Sequence, residues 1–186
     1  NLDRELIDQS LTKLRGLHNA ENLMAAIAVA RIHGYESNEI LDSILDYTPP
    51  SHRCELVWES NGVQFINDSK ATNLHAVASA LNSFKDEKII LIAGGKNKGI
   101  PYSEIKKTVK RNVSSVVLFG ENKFQVEEEW KSETDCHLSN DIDEAVELAL
   151  KLVGNSGVVL FSPGTSSFDM FNGYEERGNA FKDSVM

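Results

Sequence analysis

The sequence predicts an α/β fold, a doubly wound, Rossmann-like and mostly parallel sheet with an N-terminal β-hairpin, preceded by a short helical segment. Three observations predict it. From Glu55 onward, apolar strand-like runs alternate with helix-like segments of about 10 to 15 residues, the pattern of a parallel sheet covered on both faces. Before that point the periodicity is helical only. Three strand ends then run into the loops "NDSKATN", "GGKNKG" and "SPGTSSFD", far more polar or glycine-rich than a connection requires. Sheets of this kind take ligands at the carboxyl ends of their strands.

Taken in order, residues 1–17 are too short to fold alone and read as a remnant of another domain. Residues 19–46 read as two helices. "NAENLMAAIAVARIHG" closes on Gly34 as C-cap, and "SNEILDSILDY" opens on Ser37 as N-cap. Thr48-Pro49-Pro50-Ser51 stops the second helix and serves as a linker, placing a domain boundary between residues 1–50 and 51–186. "ELVWES" and "VQFIN" then form a hairpin around Asn61-Gly62, a dipeptide that accepts the positive φ values of a tight turn. Helix 73–84, strand "KIILIAG", helix 102–111, strand "SVVLFG", helix 122–131, a weak strand near "CHLS", helix 141–153, strand "GVVLFS" and helix 168–185 complete the alternation.

Composition excludes several function classes. A net charge of −9 argues against nucleic acid or an anionic membrane as the main partner, since both select a basic face. No apolar run reaches the length of a membrane span. The two cysteines, Cys54 and Cys136, form no pairing pattern and suit a reducing compartment. The five histidines fit no metal-ligand spacing, so no metal site is expected from this chain. The chain begins at Asn1 rather than Met and reads as part of a longer protein.

Local chemistry is more informative. In "INDSKATN", Asn67, Asp68 and Asn73 serve equally as turn formers and helix cap. Lys70 has no such ordinary account, because a cation beside a helix N-terminus is unfavourable unless an anion lies between them. In "GGKNKG", Gly94 and Gly95 let the chain turn, while Lys98 suits a carboxylate or phosphate. Thr165, Ser166 and Ser167 lead into the last expected helix, where one would be a cap and all three would suit a carboxylate. His18, Asn19 and Asn22 cap a helix or contact a ligand, and "SHR" at 51–53 is either linker or phosphate contact through Arg53. Neither GxxxxGK[ST] nor GxGxxG occurs. These residues alone leave open a non-catalytic nucleotide or small-anion binding module.

The strings "GLHNAEN", "SHRCELV", "NGVQFINDSKATN", "ILIAGGKNKG" and "FSPGTSSFDMFNGYEERGNAF" resemble, in order and spacing, the Mur ligases over residues 16–183. The resemblance is strongest to the D-glutamate-adding branch and weaker to folylpolyglutamate synthase. It implies a C-terminal domain over 51–186, preceded in 1–50 by the tail of a central ATPase domain. It also implies an ATP-dependent, Mg²⁺-assisted ligase of peptidoglycan synthesis that joins D-glutamate to UDP-N-acetylmuramoyl-L-alanine through an acyl phosphate. By the same resemblance His18, Asn19, Asn22, His52, Arg53 and Asp68 face the nucleotide, and Lys70 acts catalytically beside its phosphates. Thr72, Lys98, Ser167, Phe168 and Tyr174 surround D-glutamate, Phe168 and Tyr174 matching the family in residue class only. A cytoplasmic monomer is implied. The phosphate loop and metal ligands of the family have no counterpart in these residues.

Overall fold

The computed structural model describes residues 7–14 and 17–186, the side chains of Ser10, Leu17 and His18 excepted. The chain separates into two compact units, Asn1–Pro50 and Ser51–Met186.

The first unit holds a 3-10 turn at Gln9–Leu11 and two helices, α1 (Leu17–Ile32) and α2 (Ser37–Asp46). Gly34, at φ +86°, ends α1 in the left-handed conformation that a Cβ disfavours. Ser37, expected as the N-cap of α2, is instead its first helical residue. Glu36 takes the cap position, its N–H donating to the Glu39 carboxylate at 3.0 Å, so the longer side chain three residues on satisfies the helix start. Ile40 and Ile44 are buried, whereas Met24, Val29 and Ile32 of α1 are exposed.

The second unit is a six-stranded sheet, and its order decides where the site lies. The strands are β1 (Glu55–Ser60), β2 (Val63–Asn67), β3 (Ile89–Gly94), β4 (Val113–Phe119), β5 (Asp135–Leu138) and β6 (Gly157–Phe161). They are arranged β1-β2-β6-β3-β4-β5. Only β1 runs antiparallel, joined to β2 through Asn61 (φ +50°) and Gly62 (φ +82°) in the mirror-image turn that matches strand twist. Because the last strand inserts between the second and third, β2, β6 and β3 are adjacent.

Alternate residues of the central strands point to opposite layers. One layer packs Ile89, Leu91, Val116, Leu118, Val158 and Leu160 under α3 (Leu74–Ser83), α4 (Lys106–Asn112) and α5 (Lys123–Trp130). The other packs Phe65, Ile90, Ile92, Val117, Phe119, Val159 and Phe161 under α6 (Ile142–Val153) and α7 (Tyr174–Val185). Phe181 of α7 stacks on Phe161 with ring centroids 4.5 Å apart, an anchor of helix to sheet centre. Asn73 and Asp141 cap α3 and α6, accepting from the N–H groups of Ala76 and Glu144 at 2.9 Å.

Two helix expectations need correction. The segment at 102–111 begins as a 3-10 turn, Tyr102–Ile105, before α4. The segment at 168–185 is helical only from Tyr174. Ahead of it the chain makes a turn in which the Ser167 carbonyl accepts from the N–H groups of Met170 (3.1 Å) and Phe171 (2.8 Å). Asn172 and Gly173 then lead into α7, the Asn172 N–H donating to Glu176 at 2.9 Å. Thr165, Ser166 and Ser167 therefore do not stand at a helix N-terminus.

Candidate functional site

The bend after β2 is built inward as well as outward. Asn67, fully buried, donates through Nδ2 to the Gly178 carbonyl (3.0 Å) and faces His52 Nδ1 (3.0 Å), and its Oδ1 accepts from the Ser69 N–H (3.1 Å). His52 is buried at φ +65°, and a Cβ on Gly178 would lie 2.2 Å from its Nδ1, so only glycine lets α7 come this close. Burial, and after it the Lys182 charge, hold the imidazole below its ordinary pKa and so keep it neutral at pH 7.

Asp68 is 7% exposed, with Oδ2 accepting from Ser162 Oγ (2.8 Å) and Oδ1 from the Cys54 N–H (3.3 Å). Burial pushes its carboxyl up to about 6, against the lowering effect of those hydrogen bonds and of Arg53. The outward side of the bend carries Lys70 and Thr72, both half-buried, and the exposed Arg53 lies upstream. Lys70 Nζ sits 3.7 Å from the Tyr174 ring centroid, and the edge of His52 meets the same ring at 6.1 Å.

Arg177, one turn into α7, ties the bend to the loop after β6. Its Nε donates to Ser69 Oγ (3.1 Å), Nη2 to the Ser69 carbonyl (2.8 Å) and Nη1 to the Thr165 carbonyl (3.0 Å). The guanidinium is fully buried, which lowers its pKa to about 10 and leaves it charged at neutral pH. Ser69 Oγ passes its own hydrogen to the Tyr174 carbonyl at 2.8 Å.

The glycine-rich loop after β3 is held from two directions. The Gly94 N–H donates to Pro163 (3.0 Å) and the Lys96 N–H to Ser166 (2.9 Å), while Thr165 Oγ1 donates to the Lys96 carbonyl (2.7 Å). From the β4 side, Asn122 takes both polar groups of Gly95: its Oδ1 accepts the Gly95 N–H (2.9 Å) and its N–H donates to the Gly95 carbonyl (3.1 Å). Asn122 Nδ2 also contacts the Tyr102 hydroxyl. A Cβ at Gly95 would meet the Ser166 carbonyl at 2.7 Å, so close backbone approach explains this glycine. Lys96 pairs with Glu121 at 2.6 Å, leaving Lys98 as the exposed cation of the loop. Beside Lys96 a cleft of about 440 Å³ is lined also by Glu121, Lys123, Asn140, Phe168 and Asp169 among others.

Of the residues singled out from sequence, the fold brings His52, Asp68, Lys70 and Tyr174 together, and ties the Lys98 loop to the loop bearing Ser167. Ser167 is 2% exposed, and Phe168 is 67% exposed at the rim. Asn19 and Asn22 lie on α1 in the other unit, as does the His18 backbone, whose side chain is outside the described residues. The sequence reading gave Asn67 only a turn-forming role and passed over Ser69, Arg177 and Asn122, and these are the residues that join the loops. The available signal for Arg177 was its place in the string "GYEERGNAF", three residues after Tyr174.

The arrangement suits anions. Lys70, Arg53 and Lys98 are cations placed on bends, the backbone of Lys70 held by its N–H donating to the His52 carbonyl, and no ion pair within 4.0 Å neutralises Lys70 among the described residues. Among the described residues no three His, Cys, Asp or Glu side chains come together to hold a metal ion, and no helix is long and apolar enough to cross a membrane.

The family model described as "Mur ligase, glutamate ligase domain" matches residues 52–164. The UDP-N-acetylmuramoylalanine--D-glutamate ligase of Geotalea uraniireducens is 44% identical over 181 residues, 97% of this chain and 40% of its own length. That of Aquifex aeolicus is 39% identical over 183 residues, covering 98% and 44%. The chain thus spans about two-fifths of the length of these relatives. Two solved structures share the fold. Folylpolyglutamate synthase of Mycobacterium tuberculosis, complexed with ADP, has a TM-score of 0.67 at 15% identity, over 94% of this chain and 42% of that one. MurF of Acinetobacter baumannii has 0.67 at 16%, over 92% and 39%.

Proposed function

The chain belongs to the glutamate ligase domain family of the Mur ligases, and on that footing we propose that it is the amino-acid-presenting C-terminal portion of an ATP-dependent ligase. The reaction joins D-glutamate to UDP-N-acetylmuramoyl-L-alanine in peptidoglycan synthesis, in the bacterial cytoplasm. One observation carries this reading: the three polar loops leave adjacent strands β2, β6 and β3 and are locked to one another, with Lys70 and Lys98 among them.

In this reaction the alanyl carboxylate takes the γ-phosphoryl group of ATP, releasing ADP. The amine of D-glutamate then attacks the acyl carbon, the amide bond forms and phosphate leaves. Both partners are anionic, so fixed cations lower the cost of bringing them together. In our reading Lys70 faces the phosphates, while His52, Arg53 and Asp68 shape the nucleotide side. His18, Asn19 and Asn22 contact the base. Lys98 holds a D-glutamate carboxylate, with Thr72, Ser167, Phe168 and Tyr174 around the same amino acid. Mg²⁺ would accompany ATP, and the described residues offer no ligand set for it. The working protein is proposed to be a monomer.

Steady-state kinetics of the whole ligase test this reading. Lys98→Ala should raise KM for D-glutamate roughly 10- to 100-fold, because a charge-assisted hydrogen bond to a carboxylate contributes about 1.5 to 3 kcal/mol. An unchanged KM would remove Lys98 from the site.

A further inference from the structure

Lys70 leaves a backbone fixed on both sides. Its own N–H donates to the His52 carbonyl (3.0 Å), and the Ala71 N–H donates to the Asp68 carbonyl (2.9 Å). From there the ammonium reaches 3.7 Å from the centre of the Tyr174 ring, within the range where a cation is attracted to an aromatic face. The ring is not free to drift. The Tyr174 carbonyl is held by Ser69 Oγ at 2.8 Å, Ser69 is held by Arg177, and the buried His52 abuts the ring edge-on, the two planes at 78°.

A lysine has four rotatable side-chain bonds, and one without a partner spreads its charge over a wide volume. Two kinds of partner would confine it. A carboxylate would neutralise the ammonium, and an arriving anion would have to displace it. An aromatic face confines the charge without cancelling it, so the outward side of the ammonium stays available to an anion. Among the described residues Lys70 has the ring and no carboxylate within 4.0 Å. The nearby carboxylate of Glu175 is held below its ordinary pKa first by the Tyr174 hydroxyl, with Lys70 a lesser cause.

We propose that Tyr174 is a positioning residue whose ring face parks the Lys70 ammonium at the carboxyl edge of the sheet, charged and ready for a phosphate-type anion, its hydroxyl being dispensable for this role. The role of the anion rests on the functional reading above; the platform itself does not. It also couples two elements. The position of the Lys70 charge is set by the first residue of α7, so a shift of that helix end carries the charge with it.

Nuclear magnetic resonance of the 186-residue chain, labelled with ¹³C-lysine, reads the platform directly. The Cε and Hε signals of Lys70, assigned by their loss in Lys70→Arg, should be displaced upfield by the ring, relative to exposed Lys98. The displacement should persist in Tyr174→Phe and vanish in Tyr174→Leu. Absence of displacement in the wild-type chain overturns the proposal without any variant having to fold, and so does its survival in a folded Tyr174→Leu. In the whole ligase, kcat/KM for ATP should fall roughly 3- to 30-fold further in Tyr174→Leu than in Tyr174→Phe, the span of a cation–π contact. A displacement lost in Tyr174→Leu with equal kinetics in both variants would leave the platform standing and overturn the placement of Lys70 beside phosphate.

Discussion

Asp68 shows what a single position costs and why it can be kept. Its folded-state pKa of about 6 lies above the ordinary 3.8, because burial opposes the charge more than Ser162 and Cys54 support it. A carboxyl whose pKa rises on folding favours the fold when protonated. The charged form therefore destabilises the fold by about 3 kcal/mol above pH 6, and this cost is relieved as pH falls from about 6 toward 3.8. Asp68→Asn should raise Tm at pH 7.5, and the advantage should shrink by pH 4.5. An equal Tm at both pH values, or a less stable variant at pH 7.5, would show that the burial cost is met elsewhere. Arg177 is likewise charged and buried, and burial disfavours its charge too, lowering its pKa to about 10, but Nε, Nη1 and Nη2 each donate to a buried oxygen. Arg177→Lys loses the fork that reaches Ser69 and Thr165 at once. It should cost about 2 to 3 kcal/mol by chemical denaturation, since buried carbonyls lose their donors. At this scale the sequence was half legible. Lys70 stood out because a cation at that bend had no ordinary explanation. Asn67, Ser69 and Arg177 did not, because the contacts that tie the bend to α7, Asn67 to Gly178, Ser69 to Tyr174 and Arg177 to Ser69, span 105 to 111 residues.

Elements were read best where periodicity and caps agree. Asn73 and Asp141 open α3 and α6 with side-chain acceptors, and the Asn61-Gly62 turn joins β1 to β2. The last helix was read too long because Ser167-Phe168-Asp169 has the composition of a helix start. The Ser167 carbonyl closes a local turn instead, and the helix waits for Tyr174. That delay leaves Phe168 and Met170 exposed on a rim rather than committed to a core. Stability should differ between elements in the same way. β3 and β6 are buried along their whole length, whereas α1 exposes Met24, Val29 and Ile32. Amide hydrogen exchange on the 186-residue chain should be slow in 89–94 and 157–161 and fast in 19–46. Equal protection of the two regions would contradict this ordering.

For the whole molecule, the decisive feature is strand order, which no local pattern encodes. Alternating βα units announced a parallel sheet, but only long-range pairing puts β6 between β2 and β3. That insertion is what makes the three polar loops neighbours. Asn122, in the plain-looking "FGEN" turn, then locks the glycine-rich loop from the far side, a role visible only once β4 is placed beside β3. The result is an edge of linked loops carrying exposed and half-buried cations. We propose that this edge presents D-glutamate. The measurement that tests it most directly is product formation from UDP-N-acetylmuramoyl-L-alanine and ATP by the whole ligase, with D- or L-glutamate supplied at equal concentration. Product from D-glutamate in large excess over L-glutamate is the predicted result. Equal use of the two enantiomers, or no glutamate-dependent product at all, would contradict the account.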